Sequence, residues 1–92
     1  VPAQALFLLN DPLVREHAEL TTERLLESQP QDEAARLAEA YRLILCRTPQ
    51  QAEQARALQF VKTLTTDGMD SKAAWQQLVQ SLLASTEFRM LN

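Results

Sequence analysis

Four stretches of this 92-residue chain carry apolar side chains at spacings of three and four, each bounded by a proline or a polar turn. That is the period of one helix face, and no stretch alternates over a useful length as a half-buried strand would. Val and Ile are scarce, Ala, Leu, Gln, Glu and Arg abound, and Gly68 is the single glycine. Each of these choices favours helix. The expectation is therefore all-α: a small irregular helical bundle of four main helices plus a short N-terminal helix, forming one domain over residues 1–92.

The boundaries follow from local chemistry. Pro2 suits a first turn, Ala3 to Leu9 fill a short helix, and Asn10-Asp11-Pro12 stops it. Asp11 caps the next helix, with Pro12 at N1 because an orphan N–H is lost there at no cost. That helix runs to about Glu27, with Val14, Ala18, Thr21 and Leu25 on its stripe. Asp32 caps the third, which buries Ala34, Leu37, Ala38, Tyr41, Ile44 and Leu45. Thr48-Pro49-Gln50-Gln51 reads as a capping box opening a fourth helix, with Ala57, Phe60, Val61 and Leu64 inward. After the Thr66–Asp70 loop, Ser71 caps a fifth, with Trp75, Leu78, Val79, Leu82 and Leu83 inward and Phe88 closing the bundle.

Composition narrows the function classes. The net charge is −3, lysine occurs only as Lys62 and Lys72, and the arginines are scattered among carboxylates. A nucleic-acid binder needs a basic face to neutralise phosphates, so no nucleic-acid partner is expected. No apolar run approaches the roughly 18 residues of a membrane span. Cys46 is alone, so neither an internal disulfide nor a thiolate metal cluster can form. The chain opens on Val-Pro without an initiator Met or a visible signal segment, which suggests a piece cut from a longer protein or a processed chain.

No constellation of residues announces a reaction. His17 lies at the edge of the second helix's stripe without a same-face carboxylate to orient it, and a zinc site lacks its second histidine and cysteine pair. Cys46 ends the third helix, where the negative helix end raises a thiol pKa; it reads as a small half-buried residue. The carboxylates of Glu16, Glu19 and Glu23, and of Glu27, Asp32 and Glu33, read as solvated faces and caps. Asp67 and Asp70 lack the ligand spacing and distal Glu of a calcium loop. Tyr41 and Trp75 read as core anchors whose O–H and N–H reach the boundary. No catalytic, cofactor-binding or metal residue is assigned, and the fragment alone is not expected to be an enzyme.

Three phrases carry a family likeness. Val1-Pro2-Ala3-Gln4-Ala5-Leu6-Phe7-Leu8-Leu9-Asn10-Asp11-Pro12, Tyr41-Arg42-Leu43 to Arg47-Thr48-Pro49, and Leu82-Leu83-Ala84-Ser85-Thr86-Glu87-Phe88 resemble the planctomycete domain-of-unknown-function family 1553. The resemblance implies the C-terminal region of an exported or cell-surface protein, with other domains of the parent chain as partners. It also implies a c-type haem in a cytochrome domain elsewhere in that parent, and no cofactor in this fragment. It brings no catalytic residues to map. Cys46 stands where the family usually has Gly, a left-handed cap position that favours Gly by about 1 kcal/mol. Thr86 replaces the usual Asn, and Arg89-Met90-Leu91 the usual aromatic ending.

Together these readings lead to a non-catalytic structural or interaction domain. Its expected interaction surface comprises Leu6, Phe7, Leu9, Arg42, Arg47 and Glu87. The alternative is an accessory domain that completes the active site of a larger hydrolase or redox enzyme, with Tyr41, Arg42, Arg47 and Glu87 gathered in one cleft. A third reading is glycan binding through Trp75.

Overall fold

A computed structural model describes residues 11–29 and 31–91, with side chains through Ser85. Four α-helices follow in order: α1 (Pro12–Ser28), α2 (Glu33–Leu45), α3 (Gln51–Thr66) and α4 (Ser71–Leu91). No strand occurs among the described residues, and the fold is the all-α bundle that the hydrophobic period requires. The short helix expected over Ala3–Leu9 lies outside the described residues, as does the Phe88 side chain.

Two helix starts are as the sequence suggests. The Asp11 carboxylate accepts the Leu13 N–H at 2.8 Å, with Pro12 at the first helical position, and the Asp32 carboxylate accepts the Ala35 N–H at 3.0 Å. Two differ. α3 is capped by Gln50 rather than Thr48, and the Gln50 N–H donates to Glu53 at 2.9 Å. A carboxylate is a stronger reciprocal acceptor than the amide of Gln51, so the register that uses Glu53 wins. α4 is capped by Asp70 rather than Ser71: Asp70 accepts the Lys72 N–H on its carboxylate and the Ala74 N–H on its carbonyl. An ionised oxygen at the positive helix end again outcompetes a hydroxyl.

α1 packs most extensively on α4; α2 and α3 each touch α4 and each other, and α2 also touches α1. α1 and α3 do not touch, so they flank the α2/α4 pair from opposite sides. One core cluster joins Leu37, Tyr41, Ala57, Val61, Ala74, Trp75 and Leu78; a second joins Ala18, Leu25, Ala40 and Val79. Half-buried Leu82 packs against both and makes them continuous. Each large side chain enclosed here contributes about 1.5–3 kcal/mol through lost water contact.

The burial pattern corrects some expected positions. Ala34 is exposed and Phe60 is 40% exposed, while Ala40 is fully buried and Thr22 replaces Thr21 on the α1 stripe. On a 100° wheel Phe60 sits about 60° from Ala57 and about 100° from Val61, on the flank of the face they define. Thr22 tolerates full burial because its hydroxyl donates to the Ala18 carbonyl at 2.6 Å. Trp75 is fully enclosed, and its indole N–H has no hydrogen-bond partner among the described residues, rather than reaching the boundary. Arg36 covers the ring, its guanidinium carbon 4.9 Å from the ring centroid, and its Nε–H donates to the Gln29 carbonyl at 2.9 Å. The indole therefore contributes as an apolar and cation-facing surface.

Candidate functional site

The corner between α2 and α3 concentrates the polar chemistry of the Tyr41 to Pro49 phrase. α2 ends at Cys46, which is left-handed (φ 59°, ψ 32°) and whose N–H donates to the Arg42 carbonyl at 3.2 Å. A non-glycine residue takes this conformation against a Cβ clash. Cys46 is exposed rather than half-buried, because it stands at the apex of the reversal instead of on the inner stripe of α2.

The reversal returns Arg47 to Tyr41, with its guanidinium carbon 5.3 Å from the ring centroid. Its two terminal nitrogens donate to the two Glu53 oxygens at 2.7 and 2.8 Å, and one also reaches the Thr48 carbonyl at 3.2 Å. Glu53 thus accepts a bidentate guanidinium and the Gln50 N–H together, and its pKa falls from 4.5 to about 2, chiefly through the Arg47 hydrogen bonds. The same partner raises the Arg47 pKa. Burial, and then the Glu53 charge, push the Tyr41 hydroxyl up.

Arg42 takes another direction. It pairs along α2 with Glu39, with Nε 3.2 Å from the carboxylate, and its side chain is 64% exposed. The hydrogen bond lowers the Glu39 pKa and raises that of Arg42. The structure therefore brings Tyr41 and Arg47 together and leaves Arg42 apart, one residue along a helix being about 100° round it. Glu87 lies on α4 with its side chain outside the described residues, as Leu6, Phe7 and Leu9 are altogether. His17 is exposed on α1. Among the described residues no cluster of His, Cys, Asp or Glu could hold a metal ion, and no helix is long and apolar enough to cross a membrane.

The sequence reading missed an outward apolar set. Leu13 and Leu20 on α1 are 68% and 54% exposed, and Phe60 stands out from α3. The signal for the leucines was present: residues seven apart share a helix face about 10 Å apart, opposite the Val14, Ala18 and Leu25 stripe. An open groove of about 810 Å³ also runs between the first turn of α2 and α3, with Glu33, Arg36, Leu58, Gln59, Lys62 and Thr65 on its walls. Glu33 and Arg36 lie on its α2 wall and Lys62 on its α3 wall, so the groove presents both signs of charge.

A family model described as "Protein of unknown function (DUF1553)" matches residues 1–61. Among the described residues that match takes in α1, α2, the Arg47–Glu53 corner and α3 through Val61. No curated protein and no solved structure matches the chain. With about two thirds of its length under that match, the corner phrase included, the chain belongs to the DUF1553 family.

Proposed function

We propose that this chain is a non-catalytic interaction domain of an exported multidomain bacterial protein, docking against other domains of its parent. The observation that carries this reading is the outward display of Leu13, Leu20 and Phe60. Burying an exposed leucine is worth about 1.5–3 kcal/mol, a gain that this bundle leaves to a neighbour. The arginines of the corner phrase point the same way, since Arg42 and Arg47 are engaged by Glu39 and Glu53 of their own chain. Planctomycete origin, export, and a c-type haem in another domain of the parent belong to this proposal on the family resemblance alone. The active-site alternative has less support, because Arg42 stands away from the Tyr41–Arg47 pair.

Hydrogen exchange of the parent protein, compared with the isolated chain, tests the reading. Amides of α1 and α3 are expected to gain protection in the parent. Equal exchange of both helices in the two proteins would remove the proposal.

A further inference from the structure

The turn between α3 and α4 sets the chain's one Asp-Gly pair, Asp67-Gly68, at the surface, with both residues exposed. An aspartate before glycine can cyclise, because its side-chain carboxyl carbon and the next backbone nitrogen can close a five-membered ring. Glycine has no Cβ to shield that nitrogen, and a Cβ built at Gly68 would meet nothing within 4 Å, so no neighbour crowds the position. The other three aspartates are placed differently. Asp11 precedes Pro12, which has no N–H to give up. The Asp32 carboxylate is held by the Ala35 N–H at 3.0 Å, and that of Asp70 by the Lys72 N–H at 3.1 Å. No hydrogen bond or ion pair holds the Asp67 carboxylate among the described residues.

We infer that Asp67 is the residue at which this chain isomerises spontaneously to isoaspartate, and that the turn sets the rate by holding the reacting atoms apart. The Gly68 nitrogen attacks the Asp67 side-chain carboxyl carbon and a C–N bond forms. The amide proton and the carboxyl O–H leave together as water, which gives a cyclic imide. Water then adds to the former main-chain carbonyl and breaks its bond to nitrogen, so the backbone runs on through the side chain. No oxidant or reductant enters. Ring closure needs the Gly68 nitrogen turned towards the Asp67 Cβ. At ψ 4° that nitrogen is instead nearly eclipsed with Asp67's own nitrogen, away from the side chain. Its N–H is engaged by the Thr65 carbonyl at 3.1 Å, and the Met69 N–H by the Leu64 carbonyl at 3.0 Å. Turning ψ to the reactive angle breaks both bonds, so the reaction proceeds from a locally opened turn. The product has an extra methylene in its main chain and cannot close the same bonds, which makes it a lasting record of opening.

Ageing the intact chain at neutral pH and body temperature, beside the free peptide Thr63–Lys72, tests the inference. Trypsin releases the same segment from the aged chain, since it cuts after Lys62 and Lys72. Isoaspartyl methyltransferase labelling measures the product, and electron-transfer fragmentation assigns its position. The peptide is expected to accumulate isoaspartate at residue 67, and the folded chain to do so at least about tenfold more slowly. In denaturing urea the chain is expected to match the peptide in the same urea. Met69→Pro removes the N–H donated to Leu64, and with helicity checked by circular dichroism it is expected to move the chain towards the peptide rate. Asp67→Glu, whose ring would need six members, is expected to lose the signal from this segment. A folded chain that isomerises as fast as its peptide overturns the inference. So does a urea-unfolded chain that stays unmodified, isoaspartate that forms at Asp70 instead, or a Met69→Pro chain no faster than the wild type.

Discussion

The chain reverses direction at Cys46–Gln50 and again at Asp67–Asp70, and the two turns are built from different materials. The second is a backbone device. The Met69 N–H returns to the Leu64 carbonyl at 3.0 Å and the Gly68 N–H to Thr65 at 3.1 Å, with Gly68 at φ 101°. These are the bonds of a Schellman motif, and half-buried Met69 and Leu64 pack on the same core cluster beside it. The first turn places a cysteine where glycine would be easier and is closed by side chains: Arg47 on Tyr41, Glu53 on Arg47, Gln50 on Glu53. A turn closed by backbone hydrogen bonds keeps its closure at any pH at which the protein stays folded. One closed by a carboxylate is exposed to acid.

Substitutions can test that contrast. The largest effect is expected in the core cluster that both turns border, where Leu37 of α2 is fully buried. Leu37→Ala should cost about 3 kcal/mol in urea unfolding, from lost transfer energy and the cavity left behind. At the backbone turn, Gly68→Val should cost about 2 kcal/mol through backbone strain alone, because a Cβ at Gly68 meets nothing within 4 Å. If that loss were absent, the turn would not depend on glycine. At the corner the sign reverses: Cys46→Gly should stabilise by about 0.5–1 kcal/mol by relieving the left-handed cysteine.

The smallest effect is a pH dependence. The Glu53 pKa is 4.5 ordinarily and about 2 in the folded chain. The folded state therefore binds that proton less readily than the unfolded state, and the Glu53 contribution to stability is full above the ordinary value. It drains away as pH falls from there towards about 2. Arg47→Ala should flatten that part of the stability profile, measured by thermal unfolding from neutral to acidic pH. Gly68→Val should leave its shape unchanged.

Helix existence, two of the four described helix starts and most of the core were legible in the chain, because they depend on neighbours three or four residues away. Asp11 and Asp32 cap as read, and Leu37, Tyr41, Ala57, Val61, Trp75 and Leu78 are inside as their spacing requires. The two shifted caps share one cause. Gln50 and Asp70 cap in place of Thr48 and Ser71 because the competition was between two nearby acceptors, and a carboxylate beat a neutral group each time. Arg36 gave no sign of burial; its place depends on Trp75 meeting it from α4. No local rule pairs Arg47 with Glu53, because that partner lies beyond a turn whose shape short-range spacing does not supply.

By itself the sequence determined that this chain is helical, where its helices begin to within a residue or two, and which face of each is greasy. Those are properties of a 3.6-residue period and of short-range capping. Tertiary structure alone decided that Lys72 meets Glu23, that Trp75 closes beneath Arg36, and that α1 and α3 end on opposite flanks of the α2/α4 pair. Such pairings join residues far apart in the chain, and they exist only once buried side chains have fixed how the helices cross.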